Sequence, residues 1–380
     1  MAESWPTRRR SAEPARGRKH DARVRVLLLV NASASSVTAR ARVVIRKALA
    51  ADHDVSLAET DRRGHAQRLA QGASAAGVDV VAVLGGDGTL NEAANGLTGT
   101  RTALAVLPGG STNVFARGLG LPNDPVEATA VLLDSLAAEQ RGAPGTGAPE
   151  RRGADRPGIE SVGLGTVNGR SFLFHVGVGY DAAVVRQVER RAHLKRWAGH
   201  PLFVVSALTT WLRHYDRSRP RFSVSFPDAA DERGDVVAID DGRFAVVLNA
   251  SPYTYLGERP LDIAPAATLD RGLVALTVRR LDLWPTLVLV ASALGTGGRL
   301  RSSPWVDHRS DLTELRVRGY GPVPYQVDGD YLGEVEELDF RHQPNALRLV
   351  VPRRESSTGA VLDSQISRAR GRPGRRRGRR

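Results

Sequence analysis

Leu84-Gly85-Gly86-Asp87-Gly88-Thr89-Leu90-Asn91-Glu92 is the stretch on which the reading of this chain depends. It follows Val80-Val81-Ala82-Val83, an apolar, mostly β-branched run that reads as a buried strand, and it leads into Asn91-Glu92-Ala93-Ala94-Asn95-Gly96-Leu97, which reads as the opening of a helix. A strand, a tight glycine turn and a helix N-terminus form a geometry that receives phosphate, because glycines admit the anion close to the backbone and free N–H groups point at it. Asp87 is no phosphate ligand itself, since like charges repel; it needs an intervening cation or a proton to accept. Both needs point to metal-assisted phosphoryl transfer. The P-loop Lys-Ser/Thr ending is absent, and no Gly-x-Gly-x-x-Gly follows a strand.

A second turn has the same character. Ala103-Leu104-Ala105-Val106-Leu107 reads as another short strand and ends in Pro108-Gly109-Gly110-Ser111-Thr112-Asn113. Upstream, Val26 to Val30 reads as a first strand, followed by Asn31-Ala32-Ser33-Ala34-Ser35 and a helical stretch from Thr38 to Ala50. Three strand ends with small polar loops predict a parallel sheet that binds its ligand at the carboxyl edge.

These turns resemble the nucleotide-binding motifs of bacterial lipid kinases with a diacylglycerol kinase catalytic domain, related to sphingosine kinases and more distantly to NAD kinases. The resemblance implies that ATP is held by a first loop (Asn31, Ser33, Ser35), by Thr60, by the Gly85, Gly86, Gly88, Thr89, Asn91, Glu92 segment, and by Gly110, Ser111 and Asn113. Two residues depart from the first-loop pattern: Ala32 stands for the usual proline and Ser35 for the usual glycine. In the second half, Gly177-Val178-Gly179-Tyr180-Asp181-Ala182, Asn249-Ala250-Ser251, Leu256-Gly257 and Ile263-Ala264-Pro265-Ala266 match the family's order of motifs. Asp328-Gly329-Asp330 resembles its late Asp-Gly-Glu motif, which implies that Asp330 accepts the proton. On spacing alone Asp330 reads as a turn aspartate beside Gly329. Where the family often holds a structural Mg²⁺ the chain reads Asp270-Arg271-Gly272. Either Asp270 takes the metal, or the Arg271 guanidinium replaces it as the local positive charge.

Composition bounds the rest. A chain of 380 residues with 41% hydrophobic residues is long enough for two domains with proper cores, and with no cysteine it has neither disulfides nor thiolate metal sites. The basic N-terminus lacks the apolar segment of a secretory signal. The apolar stretch from Leu283 to Leu294 is too short to span a bilayer and contains Pro285. The net charge of +13 is concentrated at the ends: residues 1–24 carry a net +4 and residues 353–380 a net +8, so 12 of the 13 charges lie in tails expected to be disordered. A nucleic-acid-binding face is therefore not expected. The tails read as solvated chain or as a contact to anionic lipid. From Arg186 to Arg221 there are nine Lys/Arg against two acids, with Trp197 and Trp211. That segment reads as a membrane-interface contact or as an ordinary amphipathic helix packed on a sheet.

The expected organisation is a basic tail (1–23), an α/β nucleotide-binding domain with a parallel sheet (24–139), a Gly/Pro-rich insertion (140–158), a β-rich sandwich-like lipid-substrate domain (159–352) and an Arg-rich tail (353–380). Alternating runs at Phe172–Val176, Phe222–Phe226, Phe244–Leu248, Val274–Val278, Leu315–Val317 and Leu347–Val350 carry the second domain. The function implied is ATP- and Mg²⁺-dependent phosphorylation of a lipid hydroxyl, with diacylglycerol the expected acceptor, at the cytoplasmic face of the membrane. Asp87 would hold the metal through water or orient the acceptor, and Asp330 would take the proton. An NAD kinase-like or sphingoid-base kinase activity and a non-catalytic nucleotide- or lipid-binding regulator are the alternatives. The sequence leaves a homo-oligomer open.

Overall fold

A computed structural model describes residues 23–142, 158–190, 219–230, 236–280 and 302–352. Both charged tails, most of the Gly/Pro-rich insertion, the Trp197–Trp211 segment and the Leu283–Leu294 stretch lie outside the described residues.

The first third alternates as expected: β1 (Arg25–Val30), α1 (Ala39–Asp52), β2 (Asp54–Glu59), α2 (His65–Ala75), β3 (Val80–Gly85), α3 (Asp87–Leu97), β4 (Ala103–Pro108), α4 (Val114–Gly118) and α5 (Pro125–Gly142). Strands β4, β3, β1 and β2 lie side by side, all parallel. The apolar runs of β1, β3 and β4 are continuous because both faces of these strands are covered. Ile45 and Leu49 of α1 and Ala128, Leu132 and Leu136 of α5 close one face. Ala66, Ala70 and Ala73 of α2 and Leu90, Ala93, Ala94 and Leu97 of α3 close the other. Alanine and glycine let these last two helices approach closely: a Cβ on Gly96 would stand 2.5 Å from the Gln67 carbonyl oxygen. At the start of α1, Thr38 accepts the Ala41 N–H at 3.1 Å, a side-chain cap that fixes where the helix begins.

The remaining elements are β5 (Gly158–Val167), β6 (Arg170–Phe172), β7 (His175–Gly179), α6 (Tyr180–Arg190), β8 (Phe222–Ala230), β9 (Val236–Gly242), β10 (Phe244–Leu248), β11 (Thr254–Leu256), β12 (Arg259–Leu261), β13 (Leu273–Val278), β14 (Val306–Leu312), β15 (Glu314–Val327) and β16 (Asp330–Val351). The expected β-rich second half is present. One apolar cluster among its strands includes Phe172, Phe222, Phe226, Val317 and Phe340, and a second includes Val246, Leu248, Val274 and Leu276. Phe172 meets Phe340 edge-on, with ring centroids 6.4 Å apart.

Two features differ from the run-by-run sequence reading. The Phe172–Val176 run is not one strand: β6 ends at Phe172 and β7 begins at His175, because the intervening N–H groups turn toward the Asp328 carboxylate. The Leu347–Val350 run is the end of the 22-residue strand β16, which pairs antiparallel with β15 and β5 and then runs parallel to β4. Through β16 the parallel sheet and the antiparallel strands form one hydrogen-bonded network of 14 strands. No described helix is long and apolar enough to cross a membrane.

Candidate active site

The polar loops leave the carboxyl ends of β1, β2, β3 and β4 together. Asn31 N–H donates to the Leu84 carbonyl (2.9 Å), Thr60 N–H to that of Val30 (2.9 Å), and Gly109 N–H to that of Gly85 (2.8 Å). The first loop reaches across to the last: Ser36 donates its N–H to the Gly109 carbonyl and its hydroxyl to that of Gly110. Ser33 and Ser35 are exposed on this loop, and Thr60 is part-exposed. Asn31 accepts the Ser33 N–H at 3.0 Å and donates to the Thr89 hydroxyl at 2.9 Å, so its amide joins the first loop to the glycine turn.

The two glycine turns touch. A Cβ on Gly110 would lie 2.8 Å from the Gly86 Cα, closer than packed atoms allow. The turn after β4 is then closed by Asn113, in the left-handed region at φ 50°, whose side chain accepts the Gly110 N–H (2.8 Å) and donates back to the Gly110 carbonyl (2.9 Å). Ser111 stays exposed at its tip.

Helix α3 is the hub of the site. Asp87 accepts the N–H groups of Val114 (3.0 Å) and Phe115 (3.2 Å), tying the first glycine turn to the second. Burial pushes its carboxyl above the usual range; the two N–H donors oppose this, and the neighbouring charge of Asp330 adds to it. Gly88 lies under the carboxylate of Asp330. Asn91 is buried and donates to Asp328 (2.8 Å) and to the Ser171 carbonyl (3.0 Å), while its oxygen accepts from Arg170 (2.8 Å). Glu92 accepts the N–H groups of Gly64 (2.8 Å) and Ala66 (3.2 Å), capping α2. Of the residues expected to bind nucleotide, Asn31, Asn91, Glu92 and Asn113 therefore have protein partners that shape the loops.

Asp330 is the first residue of β16, and its side chain is about one-third exposed, at 34%. It follows a two-residue hairpin turn in which Asp328 (φ 48°) and Gly329 (φ 85°) are both left-handed, with Val327 paired to Asp330. That is the Asp-Gly hairpin geometry. A Cβ on Gly88 would stand 3.1 Å from Asp330 Oδ2, and Arg63, on the loop before α2, lies 3.6 Å from Oδ1. The two acids singled out by sequence, 243 positions apart, thus stand near enough for the charge of Asp330 to act on Asp87.

Asp328 is the acid that motif reading passed over. It is buried, at 4% exposure, and accepts the N–H groups of Leu173 (2.7 Å), Phe174 (3.0 Å) and His175 (3.1 Å) besides the Asn91 amide. Burial raises its pKa to about 6, against the pull of these donors. Beside it, burial lowers the His175 imidazole to about 3. Arg117 of α4 reaches the other way, donating twice to the Gly257 carbonyl (3.0 Å each) and covering the Tyr255 ring at 3.7 Å.

The Asp270 position does not suit a metal. Asp270 is exposed, and no cluster of three or more His, Cys, Asp or Glu residues able to hold an ion occurs among the described residues. Arg271 points its guanidinium to within 3.9 Å of Asp311 Oδ2, and Asp311 accepts the Gly272 N–H at 3.0 Å. A cation is present there as an arginine side chain.

Comparison with known proteins agrees with this architecture. Residues 25–141 match the family described as "Diacylglycerol kinase catalytic domain". A "Probable lipid kinase YegS-like" of Pseudomonas aeruginosa is 30% identical over 334 residues, covering 86% of this chain and 94% of that protein. A diacylglycerol kinase of Bacillus subtilis is 33% identical over 139 residues, 36% of this chain and 39% of its own. A diacylglycerol kinase structure from Bacillus anthracis superposes with a TM-score of 0.57 at 18% identity, covering 86% of this chain and 96% of the other, which shows a shared fold. On its sequence over most of its length, this chain belongs to the bacterial lipid kinase family that carries the diacylglycerol kinase catalytic domain.

Proposed function

We propose that the protein is an ATP-dependent lipid kinase that phosphorylates a hydroxyl of a glycerolipid, with diacylglycerol as the acceptor and phosphatidic acid as the product. The observation that carries this reading is the meeting of Asp330 with the Gly86–Thr89 turn: a part-exposed carboxylate stands over a glycine backbone suited to phosphate.

In this reading the contacting Gly86 and Gly110 backbones, free of Cβ atoms, admit the nucleotide phosphates, with the Ser111 hydroxyl at the rim. Mg²⁺ delivered with the nucleotide would neutralise charge on the phosphates, and the part-exposed carboxylate of Asp330 would be the acid nearest to it. Asp330 accepts the proton of the lipid hydroxyl while that oxygen bonds to the γ-phosphorus and ADP leaves. Arg63, beside Asp330, faces the transferring group's negative charge. Asp87 acts through position: both of its oxygens hold the start of α4, and with it the second turn.

The work site proposed is the membrane surface, with the basic tails in contact with anionic lipid, since the acceptor resides in the bilayer. Incubating the purified protein with γ-labelled ATP and total bacterial lipid tests the reading. Label in phosphatidic acid is the expected result. Label in a sphingoid base or in a dinucleotide, each supplied in a parallel tube, identifies the alternative kinases, and ATP binding without transfer identifies a regulator.

A further inference from the structure

Helix α3 and the β15–β16 turn meet at two points. Gly88 and Asn91, three residues apart and so on one face of the helix, present a bare Cα and an amide. Asp330 and Asp328, on either side of Gly329, present one carboxylate to each: Asp330 lies on Gly88, and Asp328 bonds Asn91 at 2.8 Å. The first contact is part-exposed and polar on one side only. The second is buried and receives four donors.

We propose that Asp328 is the positioning residue of this site: by gripping Asn91 and the N–H groups of residues 173–175, it sets where the turn lays Asp330 on the helix. This inference rests on the lipid kinase reading and assigns the geometry of its proton acceptor to a second acid.

The alternative is a carboxylate that merely stabilises the corner between β6 and β7. The geometry favours positioning. Three of the four donors come from that corner, but the fourth comes from α3 itself, one turn beyond the glycine that Asp330 covers. The same helix also holds Ser171, just before the corner, so the Asn91–Asp328 bond ties corner, turn and helix together. The described contacts of the turn with this face of the helix are that bond and the contact of Asp330 with Gly88. A displacement of about 1 Å at a reacting group is enough to cost on the order of a hundredfold in rate.

The test is D328N in the full chain, assayed with γ-labelled ATP and diacylglycerol vesicles below the melting temperature. Asparagine keeps the shape but sets its own NH₂ against donors of Leu173 and Asn91. The expected result is a kcat about 100-fold lower with the KM for ATP changed less than about twofold. A D328N enzyme with unchanged kcat and only a lower melting temperature overturns the positioning role and leaves the kinase reading standing. If D328N does not fold, N91S decides: it removes the bonds of the Asn91 amide to Asp328, Ser171 and Arg170 and leaves the three backbone donors to Asp328 in place. A kcat lowered about tenfold or more at constant ATP KM supports the inference, and an unchanged kcat overturns it. A wild-type protein that transfers no phosphate to any lipid overturns the function reading, and this inference with it.

Discussion

The carboxylate of Asp330 rests on Gly88, with Oδ2 at 3.1 Å from the point where a Cβ would sit. The atom in the way is the end of a side chain, which can yield by a few tenths of an ångström. G88A should therefore fold with a stability change below about 1 kcal/mol, while displacing the proposed proton acceptor. Activity should fall at least about tenfold with little change in Tm. Steady-state transfer to diacylglycerol and a thermal melt on one preparation check both halves, and an active, stable G88A would contradict the contact.

Gly110 poses the opposite case. A Cβ there would meet the Gly86 Cα at 2.8 Å, and backbone cannot swing aside. G110A should cost about 2 kcal/mol and lower Tm by several degrees. ATP affinity should fall with it, since the same two backbones face the phosphates. Urea unfolding and nucleotide titration measure the two losses.

Asp87→Asn keeps one acceptor oxygen for two N–H donors. Loss of a hydrogen bond to a charged group should cost about 1.5–3 kcal/mol and loosen the second turn. Transfer is expected to drop by about 100-fold. Full activity in this variant would remove Asp87 from the site.

Two buried groups oppose each other in pH dependence. His175, held at about 3, stays neutral in the folded chain while the unfolded imidazole gains a proton below about 6.5. Its contribution to stability therefore rises with pH between about 3 and about 6.5. Asp328, raised to about 6, keeps a proton that the unfolded carboxyl releases near about 4, so its contribution falls with pH between those values. H175F removes the first effect alone. The Tm of H175F minus that of the wild type should be greatest near about pH 3 and shrink steadily toward about pH 6.5. A difference that does not vary with pH would contradict the buried, neutral state of His175.

At the Arg271–Asp311 pair the positive charge is covalent. The melting temperature without nucleotide should be the same in EDTA and in Mg²⁺, for the wild type and for D270A alike. A Mg²⁺-induced rise in Tm that D270A abolishes would restore a metal to this position.

Much of this was legible from residue patterns, for identifiable reasons. Parallel strands buried on both faces read as unbroken apolar runs, so β1, β3 and β4 and their glycine-rich ends stood out. The Asp328-Gly329 dipeptide carries a strong hairpin signal, since both residues must adopt positive φ. The partners of that turn were not legible. Asn91 and Asp328 are 237 positions apart, and nothing local announces that an amide on α3 will meet a turn aspartate. The same holds for the corner at Leu173 and Phe174: its run reads as a strand, and distant groups, the Asp328 carboxylate and Asn249, take its N–H and carbonyl groups. Nor did the motif distinguish residues that face solvent, such as Ser111, from Asn113 and Glu92, whose side chains close loops.

The central claim is that Asp330, held on α3's glycine turn, takes the proton of a lipid hydroxyl. Transfer of label from γ-labelled ATP to diacylglycerol by D330N, compared with the wild type under single-turnover conditions, tests it most directly. The account predicts that D330N binds ATP with unchanged affinity and transfers phosphate at least about 100-fold more slowly. Transfer by D330N at the wild-type rate would contradict it.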